Sequence, residues 1–397
     1  MLIGLVGKPS CGKSTFFKAA TMADVLIANY PFATIKPNHG IGYVRVECID
    51  KDFNVQCNPR TGYCKNHIRF VPVELMDVAG LVKGASTGKG LGNQFLDDLR
   101  QADLFIHIVD ISGTTDSEGK ESPDAEGNPI EDVKMLENEL DLWYLGILRK
   151  VWPGFSRTLK MEKQDFAKAI AKQFSGLKAK EDDVKEVVLH GKFDTTNVDK
   201  WPESELLRFA HELRHLTKPM IIAANKIDKK SSKENLEKLK IEFPKLFIIP
   251  CSADSELALR EATNAGLIDY LPGDKDFKIN KEKINEKQEQ ALESIKKNVL
   301  DIYGSTGVQD VLDKSVFDFL KYIAIFPAGA HKLADSKGNI LPDCFLLPQG
   351  TTALDFAYYL HTDFGNNFIK AIDAKTKKPV GKDHSLSHRD GIEIITK

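Results

Sequence analysis

Residues 1–15 read MLIGLVGKPSCGKST, a short apolar run, a glycine-bounded turn and a Gly-Lys-Ser that enters a helical spacing. Gly7-Lys8-Pro9-Ser10-Cys11-Gly12-Lys13-Ser14 matches G-x-x-x-x-G-K-[ST], and its position after a strand and before a helix is the setting of a phosphate-binding Walker A loop. Its glycines let backbone N–H groups wrap phosphates. Lys13 would neutralise the β and γ charges, the Ser14 hydroxyl would ligate magnesium, and Thr15 completes the expected phosphate-binding set.

Further apolar runs follow at residues 70–76, 104–109, 220–224 and 247–250, each ending in a polar or glycine cluster and several separated by helical spacing. This order predicts βαβ units and a mainly parallel sheet with helices on both faces, whose ligands sit at the carboxyl ends of the strands. The polar motifs fall at those ends. Asp77-Val78-Ala79-Gly80 closes the second run, where Asp77 would hold magnesium through water and the Gly80 N–H would meet a γ-phosphate. Four glycines within residues 84–92 then give a segment suited to order and disorder with that phosphate. Upstream, Thr34 could complete the magnesium shell in the triphosphate state alone, so the metal set is Ser14, Thr34 and Asp77, and the catalytic set Lys13, Thr34 and Gly80.

Asn225-Lys226-Ile227-Asp228 follows the run 220–224. A carboxylate there can accept both the ring N–H and the exocyclic amine of guanine, a pair that adenine lacks, and it would reject adenine by being left unpaired. Lys226 would lie over the base and Asn225 would brace the loop. Ser252 and Ala253, after the run 247–250, would offer backbone N–H groups to the guanine oxygen. The expected ligand is GTP or GDP with magnesium.

At 397 residues, two or three domains are expected, and 42% hydrophobic with 28% charged residues argues for packed ones. A net charge of −2 excludes a general basic field, so no DNA partner is expected and any RNA contact must be local. Six scattered cysteines, apolar runs far short of a membrane span and a first strand at residue 2 point to a cytoplasmic protein with no membrane partner. The expected domains are a nucleotide domain at 1–140 and 201–303, an inserted helical arm at 141–200, a connecting helix at 304–328 and a small α+β domain at 329–397. Residues 112–132, rich in glycine, proline and acids, are expected to be a loop, and helices are expected at 135–150, 279–303, 308–323 and 354–361. The stretch 149–186 carries ten Lys/Arg against six Asp/Glu and is read as a solvated face.

Cys57, Cys64 and His67 sit close together in a polar loop with Cys48 upstream, which admits a zinc reading. The spacing is not that of a C-x-x-C pair, and a turn carrying free thiols is the reading it favours. His107, inside an apolar run, is expected to be a satisfied core histidine.

The phosphate loop 7–14, Tyr30-Pro31-Phe32-Ala33-Thr34, the stretch Asp77 to Asp103, NKID at 225–228 and Leu347 to Ala357 together resemble the Obg-related translation-factor GTPases, in the archaeal form of their YchF branch. The resemblance covers nearly the whole chain. It implies a G domain, a C-terminal β-grasp (TGS) domain, GTP hydrolysis as a molecular switch, and contact with the ribosome or RNA. The segment 370–389 has six Lys/Arg against two Asp, compatible equally with phosphate contact and with a solvated edge. Leu81 stands where many GTPases keep a water-orienting glutamine, which predicts slow intrinsic turnover. Ser10 stands where many Obg-related loops carry an asparagine linked to potassium-assisted hydrolysis, so that dependence is not carried over. Some YchF relatives lose N-K-x-D and prefer ATP, whereas this chain keeps it. An ATP-preferring hydrolase, or a nucleotide-gated binding module with incidental hydrolysis, are the rival readings.

Overall fold

The computed structural model describes residues 1–21, 38–78, 100–116, 119–120, 127–162, 164–329, 333–335 and 337–397. The chain divides into two units, Met1–Ala19 with Leu75–Val308, and Ala20–Glu74 with Gln309–Lys397. In chain order the first strands are β1 (Leu2–Val6), β2 (His39–Glu47), β3 (Tyr63–Lys65), β4 (Ile68–Asp77), β5 (Leu104–Asp110), β6 (Met220–Asn225) and β7 (Ile248–Pro250).

In the first unit β1, β5, β6 and β7 lie side by side in that order, and each neighbouring pair is parallel. The end of β4 joins on the other side of β1, where the Val78 N–H donates to the Leu5 carbonyl at 3.1 Å. β1, β5 and β6 are buried along their whole length, which is why they read as unbroken apolar runs rather than as alternating ones. Helices at Lys13–Thr21, Ser232–Glu242 and Ala253–Asn264 alternate with the strands, giving the α/β domain that the motif order predicts. Among the described residues no helix is long and apolar enough to cross a membrane.

The longest helix, Pro129–Glu162, begins inside the stretch expected as a loop. The Asn128 side chain accepts the Ile130 N–H at 3.1 Å, Pro129 takes the first helical position, and Glu131 and Asp132 fill the first turn. These are strong helix-start features that the surrounding glycines and acids obscured. The helix passes without interruption beyond residue 141, where Trp152 stacks on Trp201 with ring centroids 5.3 Å apart and donates its indole N–H to the Val198 carbonyl at 3.2 Å. Leu136, Leu140, Trp143 and Phe209 share one hydrophobic core with Leu2, Val6 and Phe105 of the sheet. Later in this unit's chain β8 (Ile268–Asp269) pairs antiparallel with β9 (Lys278–Ile279). The helix expected from residue 279 therefore starts later, at Glu286, behind an Asn285–Gln288 capping box.

In the second unit β2 and the start of β4 are neighbours, and β3 pairs antiparallel with β4. A second sheet follows the order β11 (Phe345–Pro348), β10 (Tyr322–Pro327), β14 (Asp390–Thr396), β12 (Phe368–Asp373) and β13 (Pro379–Val380). β10 runs parallel to β14 and antiparallel to β11. Ala353 and Phe356 of the helix Ala353–Leu360 pack on Ile323, Ile325, Leu347 and Ile392, the grasp of a sheet around one helix. The strand β10 lies inside the stretch expected to be a connecting helix. The helix there, Val308–Lys314, continues as a π-helical turn only to Phe319, and Ile323 to Phe326 are buried by pairing with strands that arrive later in the chain.

Candidate nucleotide site

The turn from β1 into the helix Lys13–Thr21 carries Gly7 through Gly12, and the helix opens with Lys13, Ser14 and Thr15. Phosphates at this helix N-terminus would meet unpaired N–H groups and a favourable dipole. The Lys13 ammonium lies 2.8 Å from Asp77 Oδ1, and the Ser14 hydroxyl donates to Asp77 Oδ2 at 3.0 Å. Asp77, the last residue of β4, thus holds the lysine and the hydroxyl from one carboxylate. Ser14 and Asp77 supply the hard oxygen donors that magnesium takes.

Lys8 behaves differently from its neighbours. Its side chain is buried, pairing with Asp132 at 2.7 Å and donating to the Thr115 carbonyl at 2.8 Å. Only its backbone remains to serve a phosphate. Burial raises the Asp132 carboxyl above its usual range against the pull of Lys8. Cys11 is buried, and burial pushes its thiol up to about 11, which keeps it protonated. Gly12 sits at φ +91°, and a Cβ there would stand 2.2 Å from Asn225 Nδ2. That position tolerates no side chain.

Asn225 ends β6 and ties the two loops together. Its amide donates to the Cys11 carbonyl at 3.0 Å, and its carbonyl oxygen accepts the Ala253 N–H at 3.0 Å. Lys226, at φ +67°, reaches Asp110 Oδ2 at 2.9 Å. Asp110 ends β5, fully buried, and also accepts from Ser112 and Thr115. Burial pushes its carboxyl up, but these donors and Lys226 outweigh burial and hold it below the usual range. Asp228 is half-buried and accepts from the Ser252 hydroxyl at 2.8 Å.

One expectation fails at the base-reading loop. The Cys251 N–H donates to the Ala224 carbonyl, the Ser252 N–H to the Thr306 carbonyl and the Ala253 N–H to Asn225 Oδ1, so none of the three is free for a guanine oxygen. Ser252 acts instead through its hydroxyl, which orients Asp228 and caps the helix Ala253–Asn264. Asp110 and Asp132 escaped the sequence reading because each serves the site through a lysine remote in sequence, and Ser112 because it acts only by supporting Asp110. The polar cluster after β5 was the available signal. His107 is buried as expected but not satisfied: its Nδ1 has no hydrogen-bond partner among the described residues, and burial with nearby Lys8 lowers its pKa to about 3. Thr34, Gly80, Leu81 and the segment 84–92 lie outside the described residues.

A phosphate loop and an Asn-Lys-x-Asp loop, bolted together through Asn225 at the carboxyl ends of β1 and β6, define a GTP-binding P-loop domain of the GTPase class. Three family models match the chain in succession: a 50S ribosome-binding GTPase at residues 2–140, an Obg-like GTPase YGR210-like G4 motif-containing domain at 223–329, and a TGS domain at 332–396. The chain belongs to the YchF-type GTPases. It is 48% identical to the GTP-binding protein MJ1332 of Methanocaldococcus jannaschii, over 100% of this chain and 99% of that protein. A crystal structure of a GTP-binding protein from Pyrococcus horikoshii is 38% identical and covers 100% of both chains with a TM-score of 0.79. The ribosome-binding ATPase YchF of Bacillus subtilis is 28% identical over 93% of this chain and 87% of its own.

Proposed function

We propose that this protein hydrolyses GTP slowly with magnesium, and that the GTP and GDP states switch its engagement of the ribosome in the cytoplasm. The observation that carries the reading is the double engagement of Asp77, by Lys13 at 2.8 Å and by Ser14 at 3.0 Å. Lys13 would stabilise charge developing on the transferred phosphoryl group, and a magnesium ion held by Ser14, with Asp77 through water, would supply further neutralisation. Thr34 and Gly80 would report the γ-phosphate to the segments that follow them. Leu81 in place of a glutamine supports a low intrinsic rate.

Guanine selection would rest on Asp228, oriented by Ser252. Ribosome contact is inferred from the printed name of the Bacillus subtilis relative and from the TGS domain, whose Lys370, Lys377, Lys378 and Lys382 are exposed. Two others of the basic set are spent internally, Lys375 on Asp52 and Arg389 on Glu47. Residues 1–140 with 201–303 would form the nucleotide domain, and 141–200 and 329–397 the arm and terminal partner surfaces.

A second reading, preference for ATP, is favoured by the engagement of all three N–H groups at 251–253, which leaves none of these three for the guanine oxygen. Titrating nucleotide-free protein with fluorescent GDP and ADP in magnesium, beside Asp228→Ala, separates the two. Guanine preferred by orders of magnitude, and lost in the variant, supports GTP; equal binding of adenine replaces it with the ATPase reading. Turnover measured with and without ribosomes tests the switch: a rate indifferent to ribosomes argues against it.

A further inference from the structure

We propose that Cys48, Asp50, Cys57 and Cys64 form a closed structural zinc site. Their four ligand atoms all lie within 4.8 Å of one another. Cys48 Sγ and Cys57 Sγ are 3.6 Å apart, and Cys64 Sγ is 3.6 Å from Asp50 Oδ2. Zinc–sulfur bonds of about 2.3 Å at tetrahedral angles set sulfurs about 3.8 Å apart, close to the spacing at which Cys48 and Cys57 already stand.

The local fold explains how residues so unevenly spaced meet. Cys48 follows β2, and Asp50 lies in the short 3-10 turn Ile49–Phe53. Asn54 in the left-handed region then reverses the chain, bringing Cys57 back beneath the turn, and the β3–β4 ribbon returns Cys64. Cys48, Asp50 and Cys57 are buried, and Asp50 is wholly inaccessible. Asp50 Oδ2 accepts the Cys57 N–H at 3.0 Å and otherwise faces thiols, which are weak donors, whereas a divalent cation would satisfy three thiolates and the carboxylate together.

The surroundings fit such an ion. His67 Nδ1 lies 2.9 Å from Asp50 Oδ1, while Cys64 approaches the other oxygen, as an outer-shell partner that orients a ligating carboxylate does. The fully buried Arg69 guanidinium approaches Cys57 Sγ at 3.6 Å and would offset the excess negative charge of three thiolates and a carboxylate on a divalent ion. Arg69 also donates to the carbonyls of Leu341 and Pro342 at 3.0 and 2.9 Å. Asn58 and Arg60, between the ligands, bond the carbonyls of Ile340 and Pro342 through their N–H groups. Four protein ligands leave no open position, so the ion's role is to staple the segment 48–64 that carries residues 339–343, not to do chemistry. Binding releases the thiol protons and forms three S–Zn bonds and one O–Zn bond.

The test uses reduced, full-length protein. Zinc content after gel filtration should be one equivalent per chain. Cobalt(II) added to metal-free protein should give the sulfur-to-metal charge-transfer band and the intense visible absorption of a tetrahedral thiolate site. Cys57→Ser and Asp50→Asn should bind at least tenfold more weakly, while Cys344→Ala, a buried thiol outside the set, should keep one equivalent. Wild-type protein that holds only traces of zinc and gives no charge-transfer band with cobalt overturns the proposal. So does a Cys57→Ser variant that retains full zinc.

Discussion

Asn225 donates its side-chain amide to the backbone carbonyl of Cys11 at 3.0 Å, joining two loops more than two hundred residues apart in sequence. Its other end accepts the Ala253 N–H. Asn225→Ala would leave both partners buried and unpaired, which costs about 1–3 kcal/mol for each such group. Urea unfolding should show a loss of about 2–6 kcal/mol for the two groups together, with weaker binding of GDP. A variant of wild-type stability and affinity would remove Asn225 from its bracing role.

Gly12→Ala should abolish nucleotide binding, because the new Cβ meets Asn225 Nδ2 at 2.2 Å and the backbone stays at φ +91°. Gly146, within the long helix and with nothing within 4 Å of its added Cβ, should respond in the opposite sense. Gly146→Ala is expected to stabilise by about 0.5–1 kcal/mol. Calorimetry and equilibrium dialysis of the two variants separate packing from conformational freedom.

Asp77→Asn keeps the size of the side chain but removes the charge shared by Lys13 and Ser14. Loss of an outer-shell carboxylate weakens a metal site by about 10–100-fold, so the magnesium concentration needed for half-maximal hydrolysis should rise by that factor. An unchanged magnesium dependence would place the ion elsewhere.

Asp313 is held by the Arg45 N–H and by Gln309, both donating to Oδ1, and burial pushes its carboxyl up to about 7 despite those bonds. Between the ordinary carboxylate range and pH 7 the folded chain therefore binds a proton that the unfolded chain has lost. This contribution to stability falls as pH rises through about 7. Asp313→Asn should flatten that part of the profile and be more stable than the parent above pH 7, read by thermal melting across pH. A parent profile flat from pH 5 to 8 would show the carboxyl already ionised.

The two nucleotide loops were legible because each is contiguous and follows a strand whose apolar run is unmistakable. Their supports were not, since Asp110 serves Lys226 across 116 positions and Asn225 serves Cys11 across 214. β10 was misread as helix for a related reason: the pairing that buries Ile323 and Ile325 comes from β11 and β14, which local spacing does not announce. The helix start at Pro129 was different. Asn-Pro followed by two acids is a local signal, masked by the composition of the residues before it. The cysteine cluster was partly visible, but Asp50, which completes it, looks like any surface acid until the fold buries it.

The helix Pro129–Glu162 has one foot on the phosphate loop, where Asp132 grips Lys8, and towards its other end Trp152 packs among Trp201 and Phe209. At 1.5 Å per residue it is about 50 Å long, so tilting its first turn by about 10° would sweep the distal end through about 9 Å. Pro153, past its midpoint, removes one rung of the hydrogen-bond ladder and makes that point the most compliant of the shaft. A displacement of ångström scale at the Lys8–Asp132 pair would therefore be geared up at the distal end, and Pro153 is where the shaft would yield first.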